Sequence, residues 1–212
     1  MNDSAEDRAL SLRLGDESSA PALLQDEETE LVQRAKNDPV AFGTLYETHY
    51  QAILNYLYRR TFSVTVAEEL TSNTFFKALR GLADFRPQPS VRFRSWLYRI
   101  ATNEARMHWR SRKGRRATLF LCDENELPRI VFVWPETESP EIVGEKRQQF
   151  ARVHQALGHL PEPYQAVLTL RYFERLGHEE IAKILGKRPG TVKSLVHRGL
   201  AKMVMTRLDA TK

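Results

Sequence analysis

The sequence predicts an all-α protein: two small helical domains joined by an acidic flexible linker, the C-terminal one built around a helix-turn-helix. Three observations predict it. Apolar residues recur at three- and four-residue steps through most of the chain, the period of a helix buried along one face. No segment shows the strict alternation of a half-buried strand. Periodicity also fails over 114–144, where Gly114, Pro128, Pro135 and Pro140 fall among acids, and this divides one helical block into two. The boundaries that follow are a polar, acidic, disordered tail at 1–25, a helical domain at 26–113, the linker at 114–144 and a second helical domain at 145–209.

The elements run as follows. A short helical pattern spans Glu27–Asn37, with Leu31, Val32 and Ala35 as its apolar side. Asp38-Pro39 then starts a second helix, because Asp suits the N-cap and Pro the first helical position. Its stripe is Phe42, Leu45, Tyr46, Tyr50, Ile53, Leu54 and Leu57. Thr65-Val66-Ala67-Glu68 has the spacing of a capping box and opens a third helix ending near Arg80. Pro87 and Pro89 make 85–90 a loop. A fourth helix from about Val91 to Arg112 buries Phe93, Trp96, Leu97, Ile100 and Ala101. After the linker, which contains an apolar island from Ile130 to Trp134, helical periodicity resumes near Glu145. It continues to about Leu208, with breaks at Leu160–Pro163, Leu176–Gly177 and Gly186–Pro189.

Charge is sorted along this framework. Residues 1–30 hold nine acids against Arg8 and Arg13, and 86–116 hold ten bases against Glu104. Residues 117–145 then hold seven acids against Arg129, and 146–212 hold thirteen bases against five acids. Two basic blocks inside folded segments point to a polyanionic partner. No apolar run is long enough to cross a bilayer, and the acidic start Met1-Asn2-Asp3 is unlike a signal peptide. The single cysteine, Cys122, allows no intramolecular disulfide. A cytoplasmic protein is expected.

His178 to His197 has the spacing of a helix-turn-helix. Ile181 and Leu185 anchor the first helix, Ala182 permits a close crossing, and Gly186 can supply the positive φ of a sharp turn. Beyond Pro189-Gly190 the second helix turns Val192, Leu195, Val196, Gly199 and Met203 inward. Thr191, Ser194, His197, Arg198 and Lys202 are left outside, flanked by Lys187, Arg188 and Lys193. Short hydroxyls and long bases near a helix N-terminus suit major-groove reading and phosphate contact. The plainer alternative is a helical hairpin with a charged face. On the fourth helix Arg92, Arg99, Asn103, Arg106, Arg110 and Lys113 form a second basic stripe, bordered by Thr102 and Trp109. Bases beside an aromatic suit unpaired DNA, whose bases can stack on the ring. The alternative is a solvated face with Trp109 in the core.

Three segments taken together, AEELTSNTFFKALR at 67–80, FRSWLYRIATNEARMHWRSRK at 93–113 and LPEPYQAVLTLRYFERLGHEEIAKILGKRPGTVKSLVHRGLAKM at 160–203, resemble the extracytoplasmic-function group of bacterial RNA polymerase sigma factors. The resemblance implies an N-terminal domain that binds core RNA polymerase and melts the −10 element, and a C-terminal domain that reads the −35 element. Carried over residue by residue, Glu69, Asn73, Phe76, Lys77 and Arg80 would meet the polymerase. Arg99, Asn103, Arg106, Trp109, Arg110 and Lys113 would engage the −10 element. Arg188, Thr191, Lys193, Ser194, His197 and Arg198 would engage the −35 element. The third helix agrees in its own terms: Glu69, Asn73, Phe76 and Arg80 share one face, while Ala67, Leu70, Thr74, Phe75 and Ala78 cover the other. Departures from the family pattern are Asn73, where an acid is usual, the lack of the usual acid near Val66, and Leu195, where arginine is frequent. The resemblance also allows an anti-sigma protein as a partner.

Enzyme chemistry is not expected. His154 and His159 are five residues apart and no cysteine or carboxylate cluster completes a metal site. There is no phosphate-binding glycine loop and no nucleophile elbow. No cofactor, no metal and no small-molecule substrate are expected. The rival function is a stand-alone helix-turn-helix regulator that binds operators as a dimer.

Overall fold

The computed structural model describes residues 22–87, 92–111 and 151–209, with backbone alone at 22–26 and 205–209. The tail before Ala22, the linker 114–144, Lys113, Cys122, the island Ile130–Trp134 and the start of the second domain near Glu145 lie outside the described residues. Those that are described form helices and turns, with no strand among them.

Helix α1 (Ala22–Ala35) starts earlier than expected, within the segment read as tail. Ala22-Leu23-Leu24-Gln25 are good helix formers, so the helix extends back toward Pro21. Asp38 caps α2 (Pro39–Thr61) as anticipated: its backbone is extended and its carboxylate accepts from the Val40 amide at 2.9 Å. Helix α3 (Val64–Gly81) corrects the position of the cap. The capping residue is Ser63, whose hydroxyl accepts from the Val66 amide, and Thr65 lies inside the helix. The reason is the tightness of the α2–α3 turn. Phe62 takes φ 59°, a left-handed conformation unusual for a bulky residue, and closes α2 through a 2.8 Å bond to Tyr58 O. Only Ser63 then remains with extended backbone to begin the next helix.

Helix α4 (Phe93–Ser111) completes the N-terminal group and packs on α2 and α3. Phe93, Leu97, Tyr98, Ala101 and Ala105 are buried, with Trp96 and Ile100 packed partly buried against the same core. Tyr56 meets Tyr98 edge-on at 5.2 Å, and its hydroxyl bonds Thr102 at 2.8 Å. Thr102, expected at the border of the basic stripe, is therefore fully buried. It satisfies the one polar atom that Tyr56 brings into the core.

The C-terminal group begins with α5 (151–158), then α6 (Glu162–Leu168), which runs into a π-helical turn at Thr169–Phe173. The turn after it places Arg175 at φ 55° and buries Glu174 and Leu176. Helices α7 (His178–Leu185) and α8 (Pro189–Asp209) form the helix-turn-helix. Gly186 closes α7 at φ 63°, as its sequence position required. The expected inward set of α8 is buried or partly buried throughout. Gly199 admits α6 closely: a Cβ there would come within 3.2 Å of Leu168 Cδ1. The two groups of helices touch, with α7 against α4 and the π-helical turn against α2.

Candidate nucleic-acid interface

The outward face of α8 is built by the same periodicity that builds its core. Val192, Val196 and Gly199 fix the rotation of the helix, and Arg188, Thr191, Lys193, Ser194, His197 and Arg198 are all exposed as a consequence. Arg198 Nε bonds back to Ser194 O at 3.3 Å, leaving the rest of the guanidinium directed outward. Lys202 lies 5.9 Å over the Tyr164 ring, so its charge is partly held by α6. First-turn amides, the Thr191 and Ser194 hydroxyls and Arg188 lie at the helix start, with His197 and Arg198 further along the exposed face, a surface suited to phosphates and base edges.

Helix α4 is arranged otherwise. Arg99, Asn103 and Arg110 are exposed, but Arg106 and Trp109 are half-buried. Trp109 Nε1 donates to Arg60 O at 3.1 Å, which ties the ring to the end of α2. Arg106 Nε lies 3.3 Å from Glu162 Oε1, on the first turn of α6. The described part of the expected −10 set is thus divided: Arg99, Asn103 and Arg110 face solvent, Arg106 faces α6, and Trp109 is held against α2.

Arg59 and Arg60 were not singled out in the sequence, yet both are buried at this junction. Arg60 Nη2 reaches Glu162 Oε1 at 2.7 Å, and Arg59 Nη1 reaches Glu174 Oε1 at 3.2 Å. Glu174 also accepts from the Tyr98 hydroxyl, and its backbone carbonyl accepts from Arg94 Nη2 at 2.8 Å. Ser95 donates to Glu180 of α7. Burial raises the Glu174 carboxyl above its ordinary range despite the Tyr98 hydroxyl and two arginines. Burial also pushes Glu162 upward, but Arg60 and Arg106 together outweigh it and hold that group below its ordinary range. A signal was present in the sequence: in NYLYRRT the arginines continue an apolar stripe onto its buried side, where a charge requires a partner. His154 supports the same junction. It stacks on Tyr58 at 4.9 Å and lies tilted against Phe62 at 4.6 Å, and burial, then Arg59, lower its pKa to about 4.

On α3, Glu69, Asn73, Phe76, Lys77 and Arg80 are exposed opposite buried Ala67, Leu70, Thr74, Phe75 and Ala78. Phe76 is 59% exposed, with Arg80 5.8 Å from its ring. Lys77 is also tied inward, donating to buried Glu104 on α4. Among the described residues no group of histidines, cysteines and carboxylates could hold a metal ion, and no helix is long and apolar enough to cross a membrane.

Two helical units, one carrying a helix-turn-helix with an exposed basic recognition helix, define a DNA-binding transcription factor. The family models agree in order and position: "Sigma-70 region 2" matches residues 45–115 and "Sigma-70, region 4" matches 150–203. The chain is 37% identical over 154 residues to the RNA polymerase sigma factor YlaC of Bacillus subtilis, covering 73% of this chain and 84% of that protein. It is 34% identical over 179 residues to the RNA polymerase sigma-H factor of Pseudomonas aeruginosa, covering 83% and 91%. Among solved structures, CnrH in complex with the cytosolic domain of CnrY is similar with a TM-score of 0.61 and 25% identity, covering 87% of this chain and 99% of that one. The sigma factor RpoE of Bartonella quintana, solved with the anti-sigma factor NepR, shares the fold with a TM-score of 0.55 and 21% identity, over 76% of this chain and 93% of that one. The chain belongs to the sigma-70 family of RNA polymerase sigma factors, in its extracytoplasmic-function group. It directs promoter recognition by RNA polymerase, and a stand-alone operator-binding regulator is not favoured.

Proposed function

We propose that three helix faces divide the work of initiation. The outward face of α3, centred on Phe76 with Glu69, Asn73, Lys77 and Arg80, docks on core polymerase. An exposed aromatic ringed by polar groups is the arrangement that dominates binding energy at protein interfaces. Helix α4 engages the −10 element through Arg99, Asn103, Arg106, Trp109 and Arg110, joined by Lys113, which follows the helix in the sequence. Helix α8 reads the −35 element as duplex through Arg188, Thr191, Lys193, Ser194, His197 and Arg198. The observation that carries this reading is the exposure of the whole α8 set on a helix whose opposite side is packed. The domains are taken as 26–113 and 145–209, joined by 114–144. The chain performs no catalysis of its own and works in the cytoplasm, where its polymerase is. An anti-sigma protein is a further partner, in keeping with the RpoE fold solved bound to NepR.

The test is in vitro transcription with purified core polymerase on a pool of genomic templates. Discrete start sites that require this chain are expected. Their absence, together with unaided binding to a single palindrome, would return the function to an operator-binding regulator.

A further inference from the structure

We propose that Glu104 is a positioning residue for reading of the −10 element: through its ion pair with Lys77 of α3 it fixes the rotation of α4 and so aims the exposed side chains beside it. The proposal rests on the reading of α4 as the −10 helix. Glu104 is the single acid among the ten bases of 86–116. Positions three and four residues away on its own helix hold Ile100, Ala101, Met107 and His108, so no arginine or lysine there can meet it. Its cation has to come from another element. Lys77 supplies it, donating from α3 to Oε1 of a carboxylate whose side chain is only 8% exposed. Lys77, placed on the polymerase face, thus has a second role directed into the chain.

Net stability explains this pair poorly. Desolvating a buried carboxylate offsets much of what its partner returns, and a well-packed apolar side chain of similar volume is often as stable. The Lys77 side chain is 46% exposed, so water could serve it equally well. What the pair supplies, and an apolar contact lacks, is direction. Direction matters at this point on α4. The buried face around Glu104 is formed by Ala101 and Ala105, whose single methyl groups resist rotation weakly. Trp109 ties the helix to α2, and Glu104 adds the tie to α3. Side chains reach about 5–6 Å from a helix axis, so a rotation of about 10° moves them by roughly 1 Å. A recognition site tolerates about half that displacement. Asn103, the residue before Glu104, is exposed and would be carried off its target.

The test is in vitro transcription with core polymerase and the full-length chain, on a promoter found by start-site mapping. Each base pair of the −10 and −35 elements is replaced in turn. For the unmodified chain, a replacement at a position that is read should cost about tenfold or more. Glu104→Met is expected to cut the −10 penalties to about threefold or less and to leave the −35 penalties unchanged. Glu104→Gln, whose amide oxygen still accepts from Lys77, should restore most of the −10 penalties. A merely structural role predicts lower output with both sets of penalties intact, and that result overturns the proposal. A Glu104→Gln variant that behaves like Glu104→Met overturns it as well. Asn103→Ala separates the two readings: if it lowers −10 penalties and Glu104→Met does not, positioning alone falls; if neither does, the −10 reading falls with it. Should Glu104→Met lose helicity by circular dichroism, Lys77→Met removes the same bond from its exposed end. Penalties are ratios within one variant, so weaker core binding does not move them. Reduced −10 penalties in Lys77→Met then support the proposal, and unchanged ones overturn it.

Discussion

Helices α4 and α8 carry the two basic faces of this molecule, and they meet their surroundings in opposite ways. On α8 every expected contact residue is exposed, and the helix is held in position by its inward set, Val192, Leu195, Val196, Gly199 and Met203. On α4, Arg94 and Arg106 are drawn into ion pairs with Glu174 and Glu162 of the C-terminal helices, while Trp109 is bonded to Arg60. Basic residues at helical spacing therefore mean two things here. One set is held ready for solvent and ligand, and the other also joins the two halves of the fold. Substitutions on α8 should change recognition and spare stability, whereas those around α4 should change both.

The largest effect that would break this contrast is at Glu174. Glu174→Ala leaves Arg59 in a buried site without its carboxylate, and partly exposed Arg94 loses the same partner; removing one partner of such a buried pair costs about 3–5 kcal/mol. Thermal denaturation should reveal that loss; a shift as small as that of a surface variant contradicts the buried network. Acid should act on the same junction through His154, whose pKa is lowered from 6.5 to about 4 by burial and by Arg59. The unfolded chain takes up that proton first as pH falls. The contribution is thus fully present above pH 6.5 and lost progressively toward pH 4. At a coefficient of about 1.4 kcal/mol per pKa unit, the loss is on the order of 3 kcal/mol. His154→Phe should flatten this part of the stability–pH curve.

Next in size is Phe76→Ala, expected to weaken core polymerase binding by roughly 2 kcal/mol, about thirtyfold, with no loss of helicity. Undiminished affinity in a competition assay removes the α3 contact. Gly186→Ala forces a side chain into a left-handed turn and should cost about 1–2 kcal/mol of stability. The smallest stability effect belongs to Lys193→Ala, within about 0.5 kcal/mol. Its signature lies in binding: a uniform loss across sequences and a salt slope reduced by roughly one. Arg198→Ala should instead relax sequence preference in a site-selection assay.

What the sequence made legible is whatever depends on neighbours three or four residues away. The α8 faces, the opposed faces of α3, the Asp38 cap and the Gly186 turn were all readable on that basis. Ser63 was missed because two hydroxyls stand two residues apart, and only the left-handed Phe62 decides between them. The pairing of Arg59 and Arg60 with Glu174 and Glu162 joins residues more than a hundred positions apart, so no local pattern could assign partners. The buried Thr102 was misplaced for a related reason: Arg99, Asn103 and Arg106 beside it on α4 are polar, but its partner Tyr56 lies on α2. The −10 and −35 assignments came from the family resemblance. Physical reading supplied the helix faces on which they sit.

The central claim is that two separate helices, mounted on polymerase, read two separate DNA elements. The most direct test varies the spacing between those elements on one promoter, measuring transcription with core polymerase and the full-length chain. Inserting half a helical turn rotates one element away from its helix, and the account predicts a loss of at least about tenfold, equivalent to some 1.4 kcal/mol. Transcription that persists unchanged at the altered spacing would contradict it.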